Sequence, residues 1–251
     1  MADKIGLVAA MPLESRALLR LVKGVKHTHL EKLTFNSFSI SDLTCVLVTS
    51  GMGVRRASQA AQSLLEIFSP HLLISFGIAG AVEEELNIGD VVLAEAFCQL
   101  EQISLGSVKK LAEWPGPAQE AVERILTDRG KRLYLGTTVT TTGSQVSGEQ
   151  LSGITHPVLE METAGIASVA AQGGIPFLSL RAISDGPRAP IPIDLSKVMD
   201  GDANLKVIGM LKAVIRNPLV IYQARRMLRN TTIAADQAAL ALYAALDHWS
   251  D

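Results

Sequence analysis

The chain has 251 residues, 48% of them hydrophobic and 19% charged, enough to bury a large core in one α/β domain or two smaller ones. Its formal net charge of −2 removes any overall electrostatic reason to bind nucleic acid. No positive leader precedes the first apolar run, and no apolar run nears the roughly 20 residues that span a bilayer, so a soluble cytoplasmic protein is expected.

An apolar run at 4–10 (KIGLVAA) predicts a buried strand, and Pro12 then opens a helix with leucines at helical spacing from Leu13 to Val22. TFNSFSI (34–40) alternates polar and apolar, and TCVLVTS (44–50) follows it, the pattern of paired strands. GMGVRR (51–56) turns into a helix from about Arg55 to Phe68, ahead of Pro70. LLISFGIAGAV (72–82), DVVLAEAF (90–97) and RLYLGTTVTTTG (132–143) read as strands. Between the last two lies a helix from about Pro117 to Arg129, stopped by Gly130. TAGIASVAAQ (163–172) is a small-residue helix ended by Gly173 and Gly174, and Pro176 opens the strand FLSLRAIS (177–184). Cys45 and Cys98 sit inside strands and form no CxxC pair, so they read as buried reduced thiols.

Strands alternating with helices predict a three-layer α/β/α single domain over 1–251, with a mixed, largely parallel central sheet. Residues 1–185 would form its catalytic core, and 186–251 a loop and a helical C-terminal tail. Ligands of such sheets bind at the carboxyl ends of strands. Glu160 and Glu162, before the small-residue helix, and Arg181, Ser184 and Asp185, towards the end of the next strand, gather on that rim.

Taken singly, each motif also has a plain structural reading. GMGVRR has Arg56 where a dinucleotide fingerprint has its third glycine, and it fits an anion-holding turn or an unliganded one equally. Gly77 and Gly80 permit a ligand's close approach, or merely a bend. Two apart, Glu160 and Glu162 would face one way in an extended segment and reach neighbouring sugar hydroxyls; otherwise they are solvated acids favoured by a helix dipole. Arg181 with Asp185 reads as a site or a structural ion pair, and Glu14 as a site or a surface acid of a first helical turn. TTVTTTGSQV (137–146) reads as a solvated edge or a polar loop beside a ligand.

The ordered set AMPLE, SGMG, GIAG, NIGDVV, EMETAGIA and RAISD resembles the purine nucleoside phosphorylase and nucleosidase superfamily over roughly residues 4–185. The nearest branch is that of the methylthioadenosine/S-adenosylhomocysteine nucleosidases. This resemblance implies the three-layer fold, a homodimer, and cleavage of a ribose–base bond without metal or organic cofactor. It implies Asp185 as the general acid towards purine N7, Glu162 on the ribose hydroxyls, and Glu14 orienting or activating water with Arg181 close by. Met161 is implied under the sugar, Ser184 in support of the base-binding loop, and Gly80 as the space beside the nucleoside. Two departures stand out. Ile78 occupies a position where a hydroxyl residue often helps hold the nucleophile, and the segment after Phe97 is short.

The tail from Gly186 resembles that of the hopanoid-associated phosphorylase group, which is linked to removal of adenine from adenosylhopane. Between Ala203 and Ala235 it carries Lys206, Lys212, Arg216, Arg225, Arg226 and Arg229 and no acid, with Pro218 between two helices. That charge pattern predicts peripheral membrane contact, or packing on the domain or a partner subunit with the arginines solvated. The expected activity is release of adenine from a 5′-substituted adenine nucleoside, with water in preference to phosphate as co-substrate. The alternatives are a phosphate-dependent phosphorylase and a non-catalytic nucleoside-binding protein; the missing fingerprint disfavours a dehydrogenase.

Overall fold

Strand β1 (Lys4–Ala9) shows how the chain builds its layers. Ile5, Leu7 and Ala9 join one apolar cluster while Val8 joins another, because successive side chains of a strand point to opposite faces. Both faces must therefore be covered. Helices α1 (Pro12–Leu19), α3 (Gly116–Thr127) and α5 (Pro218–Asp247) cover the first, and α2 (Val54–Phe68) and α4 (Thr163–Gly173) the second. The structure, a computed structural model, describes residues 3–101, 104–142, 146, 148–188 and 218–249.

The remaining strands are β2 (Lys26–Leu30), β3 (Leu33–Ile40), β4 (Leu43–Thr49), β5 (Leu72–Ala81), β6 (Val91–Glu101), β7 (Ser104–Leu105), β8 (Lys109–Lys110), β9 (Leu133–Thr140), β10 (Pro157–Glu160) and β11 (Phe177–Asp185). Their order across the sheet is β10-β9-β6-β11-β5-β1-β4-β3-β2, with β7 and β8 paired to β6. β1 is parallel to β4 and β5, β5 to β11, and β9 to β6 and β10; β11 with β6, and β3 with β2 and β4, are antiparallel. The sheet is thus mixed and largely parallel in the middle, with helices on both faces as expected.

One pairing closes it. β10 runs antiparallel to the end of β5, Leu159 opposite Gly80, so β5, β11, β6, β9 and β10 form a ring. The ring draws the carboxyl ends of β5, β10 and β11 together, and the charged segments with them.

Some elements differ from expectation. β2 and β10 carry no strand signal strong enough to read: KHTHL is exposed throughout, and PVLE is only four residues long. TTVTTTG is neither a solvated edge nor a loop up to Thr141: Thr137, Thr138, Thr140 and Thr141 are buried, because β9 lies between β6 and β10. Pro218 starts a helix of 30 residues; the other predicted tail helix, with Lys206, Lys212 and Arg216, lies outside the described residues. Cys45 and Cys98 are buried and free, and burial pushes their thiols up to about 12 and about 11, which makes them unreactive.

Candidate active site

Pro12 begins α1 immediately after β1, and this places Glu14 in the first helical turn, over the sheet's carboxyl edge. It is no surface acid, being only 2% exposed. One carboxylate oxygen accepts the Met11 amide at 2.7 Å and the other the Ile78 amide at 3.0 Å. Gly77 makes this possible, since a Cβ there would overlap the Glu14 carboxylate. Ile78 therefore contributes its backbone N–H. Burial raises the pKa of Glu14, opposed by those amides and by Arg181.

Arg181 stands beside Gly77 in the β5–β11 register and is 1% exposed. Its ion pair is with Glu160, at 3.0 Å. Of the two readings of Arg181 with Asp185, the structural ion pair is not the one that forms among the described residues: alternate residues of a strand share a face, but the β10 terminus reaches the guanidinium first. The same Nη2 donates to Ser75 Oγ at 2.6 Å and Thr163 Oγ1 at 3.0 Å, and Nη1 to the Leu180 carbonyl at 2.9 Å. Its Nε is buried and has no hydrogen-bond partner among the described residues.

The two acids of EME do not share a face. Glu160 ends β10 and Glu162 is the N-cap of α4, so the extended geometry is lost between them. Neither is solvated. Glu160 accepts the amides of Glu162 and Thr163 at 2.9 and 2.8 Å, along with the Thr140 hydroxyl. Glu162 accepts the Gly53 amide at 2.8 Å and the Met161 amide at 3.3 Å. GMG at 51–53 is thus a turn whose amide holds a protein carboxylate. Burial, and then the like charge of Glu160, push Glu162 up to about 8. Arg181 and three hydrogen bonds hold Glu160 below the usual carboxylate range against its own burial. Met161 is half-buried between the two acids.

Asp185 lies at the other side of Gly80. The β5–β11 register slips by one residue between Ile183 and Asp185, which skips Ser184 and sets Asp185 against Gly80. A Cβ on Gly80 would stand 2.7 Å from Asp185 Oδ2, so this glycine leaves room for the aspartate. Ser184 donates to Asp185 Oδ1 at 2.5 Å and to the Ala79 carbonyl at 3.3 Å. Burial raises the pKa of Asp185, partly offset by Ser184.

Between these groups is a cavity of about 10 Å³, lined by Glu14, Ser75, Gly77, Ile78, Glu162 and Arg181 among others. That volume holds about one water. The structure thus gathers Glu14, Ile78, Glu162 and Arg181 around the cavity, with Gly80, Ser184 and Asp185 at the adjoining strand ends and Met161 in the connecting turn. Ser75 and Thr163 join the site without having been singled out for it, and Thr140 comes from the TTVTTTGSQV segment that read as an edge or a loop beside a ligand. A lone hydroxyl within an apolar strand or at a helix start carries no signal until its neighbours are known. Among the described residues, Glu83, Glu85 and His156 have metal-ligand proximity; His156 Nδ1 lies 2.8 and 3.1 Å from the two carboxylates, and none of them lines the cavity.

Residues 4–216 match the phosphorylase superfamily. The 5′-methylthioadenosine/S-adenosylhomocysteine nucleosidase of Shewanella halifaxensis is 26% identical over 83% of this chain and 99% of its own length. That of Actinobacillus succinogenes is 30% identical over 72% and 85%. Among solved structures, the nucleosidase of the same name from Colwellia psychrerythraea, in complex with adenine, superposes with a TM-score of 0.74 at 18% identity, over 99% of this chain and 96% of that one.

Proposed function

Since the chain belongs to the phosphorylase superfamily, we propose that it is an enzyme that hydrolyses the N-glycosidic bond of a 5′-substituted adenine nucleoside and releases adenine. The observation that carries this is the one-water cavity between Glu14, Ser75, Glu162 and Arg181. A water there offers an acceptor to the unpartnered Arg181 Nε and protons to the Glu14 carboxylate. Raised towards neutrality by burial, Glu14 is better matched to general-base work than a solvated carboxylate.

In the step, water oxygen bonds to C1′ of the ribose and the C1′–N9 bond breaks. Its electron pair goes to the adenine, which takes a proton at N7 from Asp185, while Glu14 takes the water's proton. A free aspartate ionises near pH 3.9, and keeping it protonated near neutrality asks about 4 kcal/mol of its surroundings. The burial that raises Asp185 acts in that direction. Glu162 accepts the ribose hydroxyls, Met161 packs beneath the sugar, and Ser184 orients Asp185.

Water is favoured over phosphate because the Arg181 charge is already spent on Glu160. Adenine release from a series of 5′-substituted adenosines, with and without phosphate, tests this. Turnover without phosphate that yields the free sugar is expected; strict phosphate dependence, with a sugar 1-phosphate as product, overturns it.

The enzyme works in the cytoplasm as a homodimer. An open groove of about 740 Å³, lined by Phe97, Ala164, Ala167, Ala171, Ile175 and Phe177 among others, supports the dimer; a monodisperse monomer in light scattering refutes it. Its 5′ substituent extends to a hopanoid reached at an anionic bilayer. Exposed Tyr222, Arg225, Arg226 and Arg229, spaced i, i+3, i+4, i+7 on α5, support that contact. No helix among the described residues is long and apolar enough to cross a membrane. Cosedimentation with anionic liposomes, lost when Arg225, Arg226 and Arg229 are alanine, is the check.

A further inference from the structure

Glu162 stands at the N-cap of α4, where a side chain ordinarily accepts a hydrogen bond from the first amides of its own helix. It makes no such bond. Its carboxylate instead reaches the Gly53 amide at the start of α2 and borders the water-sized cavity. The orphan amides of α4 are met from two preceding strands. Glu160 Oε2 takes Thr163 N–H at 2.8 Å together with Glu162 N–H at 2.9 Å. Thr140 Oγ1 accepts Ala164 N–H at 3.0 Å and donates to Glu160 Oε1.

We propose that Glu160 is a positioning residue: by capping α4 from the end of β10 it releases the N-cap residue Glu162 to face the substrate's ribose. The ribose contact rests on the nucleosidase reading above; the displaced cap does not. A carboxylate buried this deeply is costly unless paired and hydrogen-bonded. Arg181, fixed by Ser75 and the Leu180 carbonyl, supplies the pairing. The charged groups that face Glu162 are Glu160 from β10, Arg181 from β11 and Glu14 from α1. Loss of the Glu160 charge removes a like charge and leaves Arg181 unpaired, and both changes ease ionisation of Glu162.

Glu160→Gln keeps the side chain's shape and one acceptor but not the charge. Its kcat/KM should fall by about a hundredfold, as for a misplaced catalytic group. The penalty for removing the substrate's 2′-hydroxyl should shrink with it, and the losses in Glu160→Gln and Glu162→Gln should not add in the double variant. Independently of turnover, the Glu162 carboxyl carbon, followed through pH by NMR, should ionise at lower pH in Glu160→Gln than in wild type. Thr140→Val removes only the hydroxyl that joins Glu160 to α4; it should move the titration the same way by less, and it serves if Glu160→Gln fails to fold. An unmoved titration and an unchanged 2′-hydroxyl penalty, with only a lowered Tm, overturn the proposal. If wild type releases no adenine while Thr140→Val, which keeps the Glu160 charge, still moves the Glu162 titration, the nucleosidase reading falls and the positioning role stands.

Discussion

Asp185 and Glu14 are both carboxylates with raised pKa values, yet their surroundings suit opposite tasks. Among the described residues Asp185 receives one hydrogen bond, from Ser184, whereas Glu14 receives several backbone amides that favour its ionised form. In the proposed hydrolysis the first would keep a proton and the second would take one. Asp185→Asn should therefore leave a folded, nucleoside-binding protein whose turnover drops by at least about a hundredfold, measured as adenine release. The kcat/KM profile should be bell-shaped, falling at low pH as Glu14 is protonated and at high pH as Asp185 ionises. In Asp185→Asn the alkaline limb should vanish from the residual rate.

At the scale of elements, α5 joins two unlike halves. Its second half presents Ala234, Ala238, Ala241 and Ala245, all 0% exposed and spaced i, i+4, i+7, i+11, to the layer it shares with α1 and α3. Alanine lets the helix lie close, and a larger side chain has nowhere to go. Ala238→Leu should cost about 1–3 kcal/mol in a denaturant titration. Its first half leaves Tyr222 66% and Leu228 67% exposed among three arginines. Changing Arg225 there should leave the denaturation midpoint nearly unmoved, as for surface substitutions generally. The contrast locates the helix's stabilising contacts in its alanine face.

Across the whole molecule, one edge of the sheet concentrates buried acid. Glu14, Glu162 and Asp185 all have raised pKa values, so between their unfolded and folded pKa values the native state holds protons that the unfolded chain has lost. Stability contributed in this way is fully present below the unfolded value and is lost as pH rises through the folded one, about 8 for Glu162. Glu160, with its pKa lowered, contributes in the opposite sense, and that part is complete above the ordinary carboxylate range. The Tm should therefore decline from about pH 5 to about pH 9 in calorimetry, and Glu162→Gln should flatten the decline. A Tm that climbs over that range would contradict the burial-driven shifts.

The layers of the fold are legible in the chain. Apolar runs such as 4–10 and 72–82 are intrinsic to the chain, because a strand covered on both faces must be apolar throughout. Through their resemblance to a known superfamily, AMPLE, GIAG, EMETAGIA and RAISD in that order also pointed to Glu14, Glu162, Arg181 and Asp185. Which of these side chains meet depends on how distant strands pair. Spacing within a segment allowed an ion pair of Arg181 with Asp185 and, were the segment extended, a shared face for Glu160 and Glu162. The closure of β10 onto β5 instead brought Glu160 to Arg181, and a one-residue slip in β11 turned Asp185 towards Gly80. Charges are paired by distance in space, and in a sheet that distance is set by strand order and register, which no local pattern encodes.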